Sequence, residues 1–451
     1  MNNPTRLEVT IATALAALCC TGNAVSQTAY TIRRLPSAPG LTHGVAEAVN
    51  SAGQIVGYMF DTMGAWRAVS WTNDQLTLLP GNSPGTAVAI NELGVICGST
   101  TTATGSTAAR WDPTPLGYAH VDLGLSPTAI FSGASGINAN SRTCGSQVQG
   151  SGGLFATIWR DDSDVGAPFL LPGLGPVFTV QAVAINNRDE LVGYFSSGTA
   201  QPMLWSPATT SWQAKQLPTL TTSFSAGAAI DINDSGVAVG WSHDIQNTRH
   251  LVTWTNGVIT DLGTLQGNPT TGYAINANGD IVGSSALAWP DYTAFVRIAG
   301  GAITELDSLL PAESPWHLKI GNDINDNGWI VGTGRRGNLD EPFVMIPTTV
   351  DLSAPQPGTA GAMNTFTASG NTPGQSVFFF VSMFGGETAI SGCLEALDIA
   401  NPLPFAVGNA NANGTALVTV PVPAFLAGLP FLFQCYDPAA CHTSDVVAFT
   451  F

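Results

Sequence analysis

Residues 274–283 read AINANGDIVG: an aliphatic-Asn pair, a turn ending in Gly279, and a short apolar run closed by Gly283. The same phrase recurs along the chain as AVNSAGQIVG ending at Gly57, AINELGVICG at Gly98, GINANSRTCG at Gly145, AINNRDELVG at Gly193, DINDSGVAVG at Gly240 and DINDNGWIVG at Gly332. The seven anchors are Asn50, Asn91, Asn138, Asn186, Asn233, Asn276 and Asn325, spaced by 41, 47, 48, 47, 43 and 49 residues. A period of about 46 residues lies in the range of propeller blades and solenoid turns.

Working outward from the Asn, small residues occupy every second position on its N-terminal side, as in Ala46 and Ala48, Ala87 and Ala89, or Ala182 and Ala184. The residue just before the Asn is always aliphatic. Alternation with period two is the mark of a strand, here one with a crowded face. The Asn side chain is suited to bond the backbone of the turn, and Gly three positions on, present in five of seven copies, supplies positive φ. A second strand follows to the closing Gly. A third ends at Trp71, Trp111, Trp159, Trp205 and Trp254, with Arg297 and Met345 in the last two copies. A fourth carries Leu followed by Pro or Gly, as in Leu79-Pro80 and Leu262-Gly263. Four strands of about 6 residues with links of about 5 total roughly 44, which fills the period and leaves no room for a helix.

These counts predict an all-β chain: a seven-bladed β-propeller of four-stranded antiparallel blades over 27–350, a linker over 351–362 and a small β-sandwich over 363–451. The seventh copy has three clear strands, and Tyr30 to Leu35 resembles a fourth strand without the three before it. The N-terminal strand is therefore expected to complete the last blade and remove an exposed edge. The small-residue strand should be innermost, where blades converge. A linear solenoid is the rival architecture.

Composition agrees. Of 451 residues only 10% are charged, 50 are Gly and 29 are Pro, a turn-rich chain with few charged helical faces. The formal charge of −17 leaves no basic stripe for phosphate backbones or anionic lipid, so no nucleic-acid partner is expected. Residues 1–26 read as a signal peptide: Arg6, an apolar stretch from Val9 to Cys20, and a small-residue site at Ala24-Val25-Ser26. No later stretch reaches transmembrane length, and the longest, Val422 to Phe433, contains two prolines. The expected location is secreted, extracellular or periplasmic.

The aliphatic-Asn-x-x-Gly-x-aliphatic-Val-Gly core, the Trp strand and Asp261-Leu-Gly-Thr-Leu265 make residues 30 to 350 resemble the HAF-type extracellular repeat family of bacterial secreted proteins. The family's His-Ala-Phe signature survives in fragments, as at Thr293-Ala294-Phe295. The resemblance implies an exported repeat protein and carries over no catalytic residues. Beyond Gly361 the tail resembles C-terminal β-sandwich modules of secreted bacterial proteins, on Pro373-Gly-Gln-Ser-Val377, Ile399-Ala-Asn-Pro402 and Ser444-Asp-Val-Val447.

Candidate chemistry is sparse. Cys97 and Cys144 hold equivalent second-strand positions in neighbouring copies, about 10 Å apart on a ring and beyond the roughly 7 Å Cα limit of a disulfide, so free thiols are expected. Of the three tail cysteines, the module resemblance favours a Cys393 to Cys441 bridge, and proximity in sequence favours Cys435 with Cys441. Asp231, Asn233, Asp323, Asn325 and Asn327 imitate the start of a calcium loop but lack its twelfth-position Glu. Turn hydrogen bonding accounts for the pattern, and no cofactor is expected. Asp231 and Asp323 also interrupt the small inner residues, which makes them the leading polar groups near a channel. Gly81-Asn-Ser83-Pro-Gly85 matches a nucleophile elbow in letters, but lies between two strands rather than before a helix. The six histidines fall at different repeat phases. No catalytic residue is assigned. Tandem symmetry favours a non-enzymatic binding protein whose loops meet an extracellular protein or glycan. The alternative is a secreted, polysaccharide-acting enzyme with carboxylates at the channel mouth.

Overall fold

The computed structural model describes residues 29–451 apart from 74, 82, 103–104, 151, 160–167, 175–178, 197, 210, 289–290, 311–313, 349, 372–373, 391–395, 412–414, 439–441 and 445. The expected signal segment lies outside the described residues. The protein is all-β, and its helical content among those residues is two short 3-10 turns, Leu306–Leu309 and Ala424–Leu426. It divides into a repeat unit, Thr31–Ile346, and a second unit containing Pro347–Phe451.

Every Asn-anchored copy builds an antiparallel sheet whose strands follow chain order outward. In the first these are Leu41–Val49, Ile55–Asp61, Trp66–Thr72 and Gln75–Leu78. The third and fourth copies are joined through one parallel pairing of Leu154 with Thr179. Fourth strands are shorter than expected in the third copy (Phe169–Leu170) and the sixth (Thr304–Glu305). In the seventh, Trp316–Ile324, Ile330–Arg336 and Leu339–Thr348 take Ala29–Arg34 as their outermost strand. There the Leu35 N–H donates to the Pro342 carbonyl at 3.1 Å, and Arg34 pairs with Glu341 at 3.0 Å.

Successive sheets share cores. Ala48, Val56 and Ala68 of the first copy pack with Ala87, Ile96 and Trp111 of the second. Val331 and Val344 of the seventh pack with Val49, Ile55 and Trp71 of the first, so the last sheet meets the first. The five Trp side chains are fully or almost fully buried. Each removes roughly 200 Å² from water, about 5 kcal/mol of transfer free energy. Four of them donate Nε1–H to the carbonyl of the proline that ends the preceding copy: Trp71 to Pro36 at 2.8 Å, Trp111 to Pro80 at 2.6 Å, Trp205 to Pro172 and Trp254 to Pro218, both at 2.8 Å. Trp159 follows Leu123-Gly124 instead, and its buried Nε1–H has no partner among the described residues. In the last two copies the aromatic sits two residues earlier, at the fully buried Phe295 and Phe343, whose rings lie against Gly283 and Gly332.

One local feature breaks the expected alternation. All seven inner strands carry a register shift three residues before the Asn: Ala46 faces Gly57 and Ala48 faces Val56, so Glu47 is the extra residue, and the other six copies repeat this pattern. The bulge drives an inner-strand carbonyl into the second strand. A Cβ on Gly57 would lie 2.0 Å from the Val45 carbonyl oxygen, and one on Gly240 2.0 Å from that of Ala228. This close approach is why the tenth residue of the phrase is always Gly.

In the second unit a three-stranded sheet (Asp351–Leu352, Met363–Ser369, Ala416–Pro421) and a five-stranded one centred on Ser376–Ser382 and Pro430–Asp437 share a core that includes Phe366, Val377, Phe379, Val418 and Phe433. The expected linker over 351–362 is in part a strand: Asp351 pairs with Ser369 and Leu352 with Ala368, because Leu352 supplies a buried side chain to that core. Cys97, Cys144 and Cys435 are buried free thiols. Cys393 and Cys441 lie outside the described residues.

Candidate functional site at the centre of the repeats

The seven Asn side chains, all buried, do two jobs. Each Oδ1 accepts the N–H four residues on and closes its own turn, as for Gln54 on Asn50 at 3.0 Å and Trp329 on Asn325 at 2.9 Å. Each Nδ2 donates to the backbone carbonyl of the next anchor: Asn50 to Asn91 at 3.2 Å, Asn91 to Asn138 at 2.9 Å, Asn138 to Asn186 at 3.1 Å, Asn186 to Asn233 at 3.1 Å, Asn233 to Asn276 at 3.0 Å and Asn276 to Asn325 at 3.0 Å. Asn325 then donates to Asn50 at 2.9 Å. The cycle closes. A linear stack has no such bond between its first and last repeats.

The inner strands surround a cavity of about 350 Å³. The residue two before each Asn lines it, and so does the bulged residue three before. The first set is Ala48, Ala89, Gly136, Ala184, Asp231, Ala274 and Asp323, small except for the two aspartates that the sequence singles out. The second is Glu47, Val88, Ser135, Val183, Ile230, Tyr273 and Asn322. A strict two-residue alternation turns this second set away from the cavity, and the bulge brings it in. Sequence reasoning therefore missed Glu47. The signal for it is the high chemical variety of the column three before the Asn, beside columns that hold small or aliphatic residues apart from Asp231 and Asp323.

Three carboxyl groups thus meet the cavity, in different situations. Asp231 accepts the Ile232 N–H on Oδ1 and, from the next copy, the Ile275 N–H on Oδ2, both at 2.8 Å. Asp323 accepts the Ile324 N–H and, across the closing seam, the Val49 N–H, both at 2.8 Å. Burial raises Asp231 to about 6 against the pull of those N–H donors. Burial, with the charge of Asp231 as a smaller contribution, raises Asp323 to about 7. Glu47 is raised by burial alone to about 7. No hydrogen bond or ion pair reaches it among the described residues, and its charge pushes the Tyr58 phenol upward after burial has done so.

The five calcium-loop candidates are not brought together around an ion. The oxygens of Asp231, Asn233, Asp323 and Asn325 are taken by backbone N–H groups, including Val237 on Asn233 at 3.0 Å and Asn327 on Asn325 at 3.0 Å. Asn327 reaches outward, donating Nδ2–H to the Ser51 carbonyl at 2.8 Å. Among the described residues no group of three or more His, Cys, Asp or Glu is arranged to hold a metal. Ser83 precedes a strand, Gly85–Ile90, and bonds the Trp66 carbonyl at 3.3 Å, so it is no nucleophile elbow. His250 and His317 are tied to Asp261 and Asp307 at 2.9 and 2.7 Å. No helix of the described residues is long and apolar enough to cross a membrane.

No family model matches the chain, and no curated protein matches it. Among solved structures it is similar to a fungal alcohol oxidase of the AA5 family in complex with copper, at 12% identity and a TM-score of 0.43 over 94% of this chain and 99% of that one. It is similar to a mutant Aleuria aurantia lectin in complex with a fucosyl-GlcNAc ligand, at 11% identity and 0.33 over 68% and 96%. It is also similar to the WD40 domain of SCAP from fission yeast, at 10% identity and 0.34 over 94% and 90%.

Proposed function

We propose that the protein is an exported, non-enzymatic binding protein of the HAF-type repeat group. In this reading its repeat unit is a seven-bladed β-propeller followed by a β-sandwich, and its loops meet an extracellular or cell-surface protein or glycan. The closed Asn cycle and the N-terminal strand beside the seventh sheet support the architecture, and residues 1–26 support export. One observation carries the choice of binding over catalysis. Asp231 and Asp323 spend their carboxylate oxygens on backbone N–H groups of their own and the next copy. Acid and base work on a glycosidic bond calls for two carboxyl groups flanking it, and Glu47 is the one carboxyl of the described cavity lining without such ties.

The enzyme reading keeps one point in its favour, the elevation of Glu47 to about 7, since a carboxyl poised near neutrality suits general acid catalysis. The deciding experiment exposes the purified full chain to a panel of immobilised and soluble polysaccharides. Retention without new reducing ends, unchanged in Glu47→Gln, is the expected result. Hydrolysis that disappears in Glu47→Gln overturns it.

A further inference from the structure

Arg249 is half-buried and, among the described residues, faces no carboxylate at ion-pairing distance. Several other basic groups in this acidic chain have one: Arg110 grips Asp112 through two bonds of 2.8 and 2.9 Å, and Lys319 meets Asp340 at 2.7 Å. Arg249 instead lies with Cζ 4.1 Å from the centroid of Trp241, a cation on an aromatic face. Its Nη1 donates to Thr271 Oγ1 of the sixth copy at 3.3 Å, which uses one of five guanidinium N–H bonds.

Strand register explains why no partner comes from nearby. Arg249 stands directly opposite His243, and Trp241 lies two residues before His243 on the same face. The adjacent His250 points to the other face and takes the local carboxylates with it: Asp261 at 2.9 Å and Asp244 at 3.3 Å. Asp244 also accepts the Gln246 and Thr248 N–H groups of its hairpin. Burial lowers the pKa of the guanidinium. A half-buried guanidinium fork with one N–H bonded and no counter-charge among the described residues is complementary to an anion.

We propose that Arg249 anchors an oxyanion-binding site at the junction of the fifth and sixth copies, taking a carboxylate or sulfate group of an extracellular ligand. Trp241 and Thr271 hold the guanidinium in place. The proposal deepens the binding reading by naming the charge of the ligand.

The test is a titration of the full chain, ¹⁵N-labelled at arginine side chains, with sodium acetate and separately sodium sulfate, at ionic strength held constant with sodium chloride. The Arg249 Nε resonance, assigned by its absence from Arg249→Gln, is expected to shift saturably with a dissociation constant of about 1 mM or tighter. Preference for acetate assigns a carboxylate ligand, and preference for sulfate a sulfated one. Arg249→Lys, which keeps the charge but loses the fork, is expected to weaken binding at least tenfold. If Arg249→Gln does not fold, Thr271→Val serves instead, with a severalfold loss expected. Linear shifts at Arg249 that parallel those of the exposed Arg336, or unchanged affinity in Arg249→Lys, overturn the proposal. The titration needs no natural partner, so a polysaccharide panel that finds none leaves it readable, and the reverse holds too.

Discussion

Asn325 donates its Nδ2–H to the backbone carbonyl of Asn50, 275 residues earlier in the chain, at 2.9 Å. The same side chain accepts the N–H groups of Asn327 and Trp329 and so caps its own turn. Local turn chemistry and long-range closure thus reside in one amide group, and the two are separable by substitution. Asn325→Asp keeps the acceptor and loses the donor. Asn325→Ala loses both. Expected losses in urea unfolding are about 1 kcal/mol for the first and about 2 to 3 kcal/mol for the second. Equal losses would mean that the turn-closing bonds contribute nothing, and no loss in Asn325→Asp would mean that the bond to Asn50 contributes nothing.

The Trp series offers an internal control. Trp254→Phe removes a bond to the Pro218 carbonyl and should cost about 1 to 2 kcal/mol, part hydrogen bond and part lost volume. In Trp159→Phe the deleted N–H is buried without a partner among the described residues, so the cost should be smaller by about 1 kcal/mol. Paired thermal melts of the two variants decide this.

Gly240→Ala places a methyl carbon about where the Ala228 carbonyl oxygen already is, at 2.0 Å. Backbone atoms on both sides cannot swing away as a flexible side chain can. The expected outcome is a loss of about 3 kcal/mol or more, read as a lowered unfolding midpoint or as failure to accumulate folded protein. Gly64→Ala, at an open turn with no atom within 4 Å but φ of +81°, should cost only about 1 kcal/mol.

Asp231, Asp323 and Glu47 are all raised on folding, to about 6, 7 and 7. Between the unfolded carboxyl range near 4 and these values the native state binds more protons than the unfolded chain, so stability falls as pH rises through that window. The urea midpoint should be higher at pH 4.5 than at pH 7.5, by of order a few kcal/mol in unfolding free energy. Asp323→Asn, neutral throughout, should flatten the profile. A midpoint that climbs with pH over this range would contradict the assignment.

Cys97 and Cys144 are fully buried thiols, Cys97 pushed well above the ordinary range and Cys144 to about 12, in each case chiefly by burial. Neither should react with a disulfide reagent in the native protein, and both should react at once in urea. Labelling of intact and unfolded protein, followed by peptide mass analysis, checks this.

Much of the fold was legible because a tandem repeat writes the same local rules seven times. The Asn turn, the strand order, the buried Trp and the role of residues 29–34 beside the last sheet all follow from alternation and spacing. The axial aspartates were legible for the same reason, as departures from a column of small residues. The Trp register was legible only in part: Phe295 and Phe343 take its place two residues early, since a ring packed on the opposing Gly fills the same space.

By itself the sequence determined the repeat, its period and the all-β class, since these rest on contacts between residues close in the chain. Only the tertiary structure decided which side chains face the centre, because one extra residue in each inner strand reverses the parity on which alternation depends. It alone decided that Asp231 and Asp323 grip the next copy and that, among the described residues, Glu47 stands without a partner and Arg249 meets no carboxylate. Such outcomes depend on where distant strands place an N–H, a ring or an empty space, and a spacing along one strand does not encode them.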